Sequence, residues 1–166
     1  MKAIVAVDSK WGIGKNNGLL FSIPADMAFF RATTLNKTVV MGSNTLKSLP
    51  NGKPLKNRVN LVFSKSLGKS EDCIVVDSFE KLVEELKKYP TDDVFIIGGA
   101  MFYKLMLPYC ESVFVTKVDA DGNADVFFEN LDKLDNWSCI SESDTVETNG
   151  YNVKFTVYKN FDVKQL

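Results

Sequence analysis

Histidine is absent from these 166 residues. Its absence removes the usual general base, the Ser–His nucleophile pair and the commonest metal ligand. Cysteine is scarce, with three scattered residues, Cys73, Cys110 and Cys139. The odd count and wide spacing give neither a disulfide framework nor a metal-ligand pair, so free thiols in a reducing compartment are expected and a metal site is not. Acid–base chemistry must therefore rest on Asp, Glu, Lys, Tyr, Cys or bound water. Neither sign of charge is in excess, since 20 Lys and Arg face 21 Asp and Glu. A chain so balanced lacks the broad field that gathers nucleic acid or an anionic membrane, and an anionic ligand must be met by local groups. Long apolar runs are missing too. The opening Met1-Lys2-Ala3-Ile4-Val5-Ala6-Val7-Asp8 is too short for a signal-peptide core or a membrane span, which makes the cytoplasm the default location. No phosphate-loop motif ends in Gly-Lys-Ser/Thr. Gly12-Ile13-Gly14 lacks the third glycine of the G-x-G-x-x-G fingerprint, which disfavours a standard dinucleotide-binding fold.

What remains is ordinary globular material, 45% hydrophobic and 25% charged, long enough to bury one core and read as a single domain over 1–166. Ala3 to Val7 is a continuous apolar run, as in a strand covered on both faces. Residues 8 to 21 are loop-like, with Gly12, Gly14, Gly18 and Asn16-Asn17, and a loop this long is often functional. A helix runs from about Pro24 to Leu35, a strand from Thr38 to Gly42, and a short helix capped by Ser43 or Asn44 extends through Leu49 to a stop at Pro50. Strands are expected at Arg58 to Phe63 and Cys73 to Val76. Phe79, Leu82, Val83 and Leu86 follow helical spacing, with Asp77 or Ser78 as cap. Val94 to Ile97 is a buried strand leading into Gly98-Gly99 and a helix carrying Phe102, Leu105 and Met106. Glu111 to Val118, Trp137 to Ser141 and Tyr151 to Tyr158 are strands, the last with one wetter face. Asp119 to Asp125 reads as an acidic surface loop. Alternation of strands and helices up to residue 108, then strands alone, gives an α/β domain. Its mixed, mostly parallel sheet has about eight strands and about four flanking helices, with antiparallel strands at the C-terminal end.

One acid keeps unusual company. In Phe21-Ser22-Ile23-Pro24-Ala25-Asp26-Met27-Ala28-Phe29-Phe30, Ser22 suits an N-cap, with Ile23 as the alternative, and Pro24 suits the first helical position. Asp26 then falls in the first turn, with Phe30 on the same face four residues on. The simpler local reading is a solvated carboxylate that favours the helix start. The apolar surroundings point instead to a perturbed acid. Two glycine turns follow buried strands: Gly42 with Ser43, Asn44 and Thr45, and Gly98-Gly99. Each would let a backbone approach an anion at the carboxyl end of a strand.

These segments, in this order, resemble bacterial-type dihydrofolate reductase over nearly the whole chain. The resemblance is carried by Ile4-Val5-Ala6-Val7, Trp11-Gly12-Ile13-Gly14-Lys15-Asn16, Ile23-Pro24-Ala25-Asp26 with Phe30, and Thr38-Val39-Val40-Met41-Gly42 with Thr45. Pro54-Leu55 with Arg58, Ile96-Ile97-Gly98-Gly99-Ala100 with Tyr103, and Val115-Thr116 complete it. It implies reduction of dihydrofolate to tetrahydrofolate by hydride transfer from NADPH, for one-carbon metabolism, in a monomer open to antifolate inhibitors. Asp26 would be the catalytic carboxylate, hydrogen-bonded by Thr116 and oriented toward the pterin. Ile4, Ala6, Leu19, Met27, Phe30 and Leu55 would wall the pterin, Arg58 would hold a carboxylate of the glutamate tail, and Ile97 would border substrate and cofactor alike. Ala6, Ile13, Gly14, Gly42, Ser43, Asn44, Thr45, Ser64, Lys65, Gly98, Gly99, Ala100, Met101, Phe102 and Tyr103 would lie along the cofactor. The Gly98-Gly99 peptide would be cis.

The chain departs from the family pattern in places. Leu20-Phe21 stand where Pro-Trp is usual, and Phe21 has no indole N–H to hold a water. Ser43 replaces a frequent Arg, which removes one charge near the cofactor phosphates and leaves Lys65 as the candidate replacement. Leu46 replaces a frequent aromatic. Two rival readings stand beside this one: a reductase of the same fold acting on a pyrimidine or another pterin, and a non-catalytic nucleotide- or pterin-binding protein.

Overall fold

The computed structural model describes all 166 residues. Its frame is a sheet in which β1 (Lys2–Val7) is flanked by β6 (Val94–Gly98) and β7 (Ser112–Val118). Outward from β6 come β3 (Thr38–Gly42), β4 (Val59–Phe63) and β5 (Ile74–Val76). All these pairs are parallel. Beyond β7 the long β11 (Tyr151–Asn160) runs antiparallel. Its outer edge is shared by β9 (Trp137–Glu142) and β10 (Val146–Thr148), which pair with its two halves in succession. Nine strands thus fill eight positions.

Strand alternation splits the side chains between two faces. Ala3, Val5, Val7, Val40, Leu61, Ile96, Val113 and Val115 form one core with α3 (Phe79–Leu86) and α4 (Ala100–Met106). On α3, Leu82 and Leu86 are buried, and Ser78 caps the helix by accepting the Lys81 N–H at 3.2 Å. On α4 the buried stripe is Phe102, Tyr103 and Met106, and Leu105 faces outward. The opposite face is covered by α1 (Pro24–Thr34) and α2 (Ser43–Ser48). There Leu46 packs with Val39, Met41 and Val62. The α1 residue that meets the sheet is Phe29, against Phe114 and Phe155.

Several expectations are corrected. The segment after β1 is not pure loop, because β2 (Gly12–Gly14) pairs with β8 (Val126–Phe127). Ile23 holds the N-cap of α1 with no side-chain bond, and the cap comes from outside. Thr148 accepts the Ala25 N–H at 3.3 Å, and the Asn149 side chain donates to the Ser22 carbonyl at 2.9 Å. Gly42 caps α2, so neither Ser43 nor Asn44 does, and Pro50 opens a 3-10 turn. The far face of β11 is wet only over its first half, at exposed Asn152 and Lys154; further on, Thr156, Tyr158 and Asn160 are buried, with Thr156 and Asn160 bonded to the carbonyls of Val115 and Cys110. All three cysteines are free, and burial pushes the Cys110 thiol up to about 12. No helix is long and apolar enough to cross a membrane.

Candidate active site

The two central strands should be sealed on both faces, yet Ala6 on β1 and Ile97 on β6 remain partly exposed. Both lie on the face covered by α1 and α2, so the gap between those helices is a cleft floored by Ile4, Ala6 and Ile97. Asp26 and Thr116 line its α1 side. Register sets their meeting: Thr116 pairs with Ala6 on one side and Phe155 on the other. Phe29 seats α1 over Phe155, and Asp26 lies three residues earlier on the same helical face. The Thr116 hydroxyl donates to Asp26 Oδ1 at 2.6 Å.

This is the only protein hydrogen bond the Asp26 side chain accepts, and no cation reaches the carboxylate. Burial pushes the carboxyl above its ordinary range, and the Thr116 bond opposes that shift without cancelling it. The ranking is physically reasonable. A single hydrogen bond to an ionised carboxylate contributes about 1.5–3 kcal/mol, less than the loss of hydration around an enclosed carboxylate.

The walls are uneven. Ile4 is buried, Phe30 and Leu55 are half-buried, Met27 is 59% exposed and Leu19 is 83% exposed. Arg58 enters from the strand edge at the N-terminal side of β4. Its Nε donates to Thr34 Oγ1 at 2.9 Å, and its two terminal nitrogens donate to the carbonyls of Lys56 and Arg31. No carboxylate pairs with it, so it is not a surface Arg in an ion pair. Partial burial and the nearby Arg31 charge lower its pKa, and a guanidinium keeps its charge regardless. Thr34 and Asn60 were not legible as site residues. Thr34 is buried at the end of α1, its hydroxyl donating to the Phe30 carbonyl. Asn60 bonds both backbone groups of Leu55 and the carbonyl of Arg58. A lone Asn inside an apolar strand was the only available signal.

The glycine turns meet at the carboxyl ends of β3 and β6. Gly98 has φ 137°, and a Cβ there would stand 2.9 Å from Thr45 Oγ1. The Gly98-Gly99 peptide is cis. Gly42, Ser43, Asn44, Thr45, Gly99 and Ala100 gather around this junction, with Met101 fully outward at 89% exposure. The Phe102 ring stacks on Phe63 in the opposite core, while the Tyr103 ring edge stands 3.7 Å from where a Gly98 Cβ would be and its hydroxyl donates to the Ile4 carbonyl at 2.7 Å. The Ser64 hydroxyl accepts from the Ser66 and Leu67 N–H groups, shaping the turn that presents exposed Lys65. Ile13 packs against the α3–α4 core and Gly14 pairs with β8, so both sit on the segment beside the cleft.

The near-zero net charge conceals an uneven distribution. From Met27 to Ser70 there is no acidic residue and there are eight basic ones, of which only Lys37 is ion-paired. A nearly neutral chain thus keeps an unneutralised basic stretch around Arg58 and Lys65.

The raised Asp26 carboxyl has a stability consequence. The folded state holds this proton more tightly than the unfolded chain, so stability declines as pH rises through the window above the ordinary Asp range. Asp26→Asn removes that penalty. Thermal melts should show the variant at least as stable as the parent at pH 7, the difference shrinking as pH falls below the ordinary Asp value. A variant weaker at pH 7 by more than about 1 kcal/mol, the worth of one hydrogen bond, would contradict this account.

Comparison with known proteins agrees with the geometry. The family model described as dihydrofolate reductase matches residues 1–160. A dihydrofolate reductase of Haemophilus influenzae is 37% identical over 134 residues, covering 81% of this chain and 79% of that protein. One from Bacillus subtilis is 31% identical over 159 residues, covering 94% and 92%. One from Schistosoma mansoni is 34% identical over 180 aligned positions, covering 95% of each. A carboxylate on the helix side of a sheet cleft, a glycine junction beside it and an unpaired Arg at its edge all occur within the matched span, and the chain belongs to the dihydrofolate reductase family.

Proposed function

We propose that this protein reduces 7,8-dihydrofolate to 5,6,7,8-tetrahydrofolate with NADPH as hydride donor, acting as a cytoplasmic monomer in one-carbon metabolism. The observation that carries the reading is the under-solvated Asp26 carboxylate, held by Thr116 and facing a gap between apolar walls. An ionised carboxylate with one donor has acceptor capacity left. It takes the ring N–H and amino group of a pterin and favours the protonated substrate, with the proton arriving through water. Phe21 packs on Tyr151 and has no polar atom to hold that water, so the route depends on Asp26. The same acceptor suits the protonated ring of an antifolate. Ile4, Ala6, Met27, Phe30, Leu55 and Ile97 exclude water from the pterin, with Leu19 covering it from the loop. Arg58, unpaired and fixed by three neutral acceptors, takes a carboxylate of the glutamate tail.

The glycine junction fits the cofactor. The space a Cβ would take at Gly98 is already closed by Thr45, so backbone, not side chain, faces outward there, and Lys65 stands exposed nearby. NADPH, when bound, supplies the hydride. The chain supplies backbone N–H groups at the starts of α2 and α4, the side chains of Ser43, Asn44 and Thr45, and the Lys65 charge.

The decisive test is consumption of NADPH with dihydrofolate, compared between the parent and Asp26→Asn. Turnover at pH 7 should fall at least about 100-fold, about 2.7 kcal/mol in the barrier, with partial recovery at acid pH, where solvent protonates the substrate. Near-parental turnover of the variant at pH 7 would end the case for Asp26.

Arg58→Leu should raise the Michaelis constant for dihydrofolate by about tenfold or more, since charge-assisted hydrogen bonds contribute about 1.5–3 kcal/mol. NADPH affinity should change little. Added salt should raise the same constant in the parent. Equal affinity of the parent for substrates with and without the glutamate tail would refute the assignment.

With Ser43 in place of a cation, NADPH should be preferred over NADH by a narrower margin than in relatives carrying Arg there. Specificity constants for both cofactors decide this, and a preference for NADH would exclude Lys65 as the compensating charge.

A further inference from the structure

Two of the residues that wall the cleft, Leu19 and Leu55, are carried by no helix or strand. Leu19 stands open to solvent, whereas Leu55 is half-buried against the cluster of Val39, Met41, Leu46 and Val62. What keeps Leu55 there is not its own backbone pairing. The stretch that carries it is tied by backbone bonds only at its ends. The Lys53 N–H meets the Pro50 carbonyl at 3.3 Å, and the Asn57 carbonyl accepts from the Asn36 N–H at 2.8 Å. Pro54, Leu55 and Lys56 make no backbone–backbone hydrogen bond.

Leu55 is held by a side chain instead. Its N–H donates to Asn60 Oδ1 at 2.9 Å, and Asn60 Nδ2 donates to its carbonyl at 2.8 Å. The same Nδ2 donates to the Arg58 carbonyl at 3.2 Å. One amide thus takes both backbone groups of one residue, the pairing that an adjacent strand gives in a ladder. The residue type is informative. A carboxamide offers an acceptor and two donors on one short side chain, whereas an ionised carboxylate offers no donor and a hydroxyl only one.

Asn60 is also out of place on packing grounds alone. It is 5% exposed in an otherwise apolar strand, in register with fully buried Val39, and alternation puts it on the same face as Val62. All of its hydrogen bonds run to Leu55 and Arg58, and none reaches Asp26 or Thr116. Arg58 is therefore gripped at both ends, its guanidinium by Thr34, Lys56 and Arg31 and its carbonyl by Asn60.

We propose that Asn60 is a positioning residue for the substrate: its amide stands in for a missing strand neighbour, sets where Leu55 closes the cleft, and sets the point from which Arg58 reaches the glutamate tail. This rests on the reading that dihydrofolate is reduced in that cleft. Because Asn60 acts through Leu55 and Arg58 alone, its effect falls on substrate binding and on discrimination by the tail, not on the hydride step.

The test compares Asn60→Ser with the parent. Serine is neutral, and its hydroxyl is too short to span both backbone groups of Leu55. The Michaelis constant for dihydrofolate should rise at least fivefold, with turnover and the NADPH constant within twofold of the parent and the pH profile of turnover unchanged. Such a split marks the loss of an interaction made equally in ground and transition states. Discrimination is the sharper readout. Against dihydropteroate, which lacks the glutamate, the preference for dihydrofolate should shrink at least threefold, because Arg58 acts only on the tailed substrate. Amide exchange at Leu55 should quicken at least tenfold, with the amides of β1 and β6 at parental rates. A lower melting temperature with parental Michaelis constants and parental discrimination would overturn the proposal, since Asn60 would then serve stability alone. If Asn60→Ser does not fold, Asn60→Asp carries the test. It keeps an acceptor for the Leu55 N–H and turns an oxygen toward the Leu55 and Arg58 carbonyls, so the same rise and the same loss of discrimination are expected; parental values would overturn the proposal. A parent that does not reduce dihydrofolate sinks the functional reading instead. Exchange at Leu55 then judges the seat by itself, and a rate unchanged in Asn60→Ser would overturn it.

Discussion

The Asp26–Thr116 hydrogen bond is the contact on which the cleft depends, because it ties the helix over the sheet to the strand beneath. Every neighbouring feature serves its geometry. Thr116 faces α1 because of its place in the alternation of β7, between Ala6 and Phe155 in register. A slip of one residue would turn the hydroxyl to the opposite core. The helix is seated by Phe29 on Phe114 and Phe155. Its start is fastened by Thr148 and Asn149, from the turn between β10 and β11. The C-terminal antiparallel strands therefore do more than widen the sheet: they set the height and direction of the helix that carries the acid.

Charge is arranged on a larger scale with the same economy. All 21 acids lie outside residues 27–70, so a chain of nearly zero net charge still offers a basic rim to an anion. Arg58 shows how the charge is kept available. Its partners are a hydroxyl and two carbonyls, which fix its direction without neutralising it. A carboxylate partner would have held it equally firmly and left less attraction for a ligand. Burial of Thr34 and Asn60 behind it makes the arrangement stiff and leaves the side chain little rotamer freedom.

Much of this was legible in the sequence, for identifiable reasons. Continuous apolar runs marked β1, β3 and β6, and the Phe79–Leu86 spacing marked α3 with its Ser78 cap. Asp26 stood out by its neighbours and the glycine turns by their place after buried strands, and Thr116 and Arg58 came through family resemblance. What was missed shares a physical character. The pairing of Gly12–Gly14 with Val126–Phe127 leaves no periodicity in three- and two-residue strands. The cap of α1 lies more than 120 residues away, beyond any local signal. Phe102 and Tyr103 were assigned to the cofactor side by position in a motif; the Phe102 ring stacks on Phe63, and the Tyr103 ring edge stands 3.7 Å from where a Gly98 Cβ would be. The wet face expected for β11 stops halfway because Thr156 and Asn160 bond to the Val115 and Cys110 carbonyls and can be buried without penalty.

Asp8 and Asp26 show that donor count, more than residue type, separates structure from chemistry here. Both carboxylates are withdrawn from water, and neither meets a cation. Three backbone N–H groups converge on Asp8, from Lys10, Gly12 and Gly122. Its acceptor capacity is turned inward, and exchanging any one partner would leave a buried N–H unpaired. Asp26 has one neutral donor. One oxygen is held so that the group has a direction, and the remaining lone pairs face a gap floored by half-exposed Ala6 and Ile97. A second donor from the protein would have stabilised the carboxylate and lowered its readiness to accept from a ligand. Incomplete solvation leaves Asp26 with lone pairs that can orient a bound ring, while Asp8, solvated by backbone N–H groups, has its acceptor capacity filled within the fold.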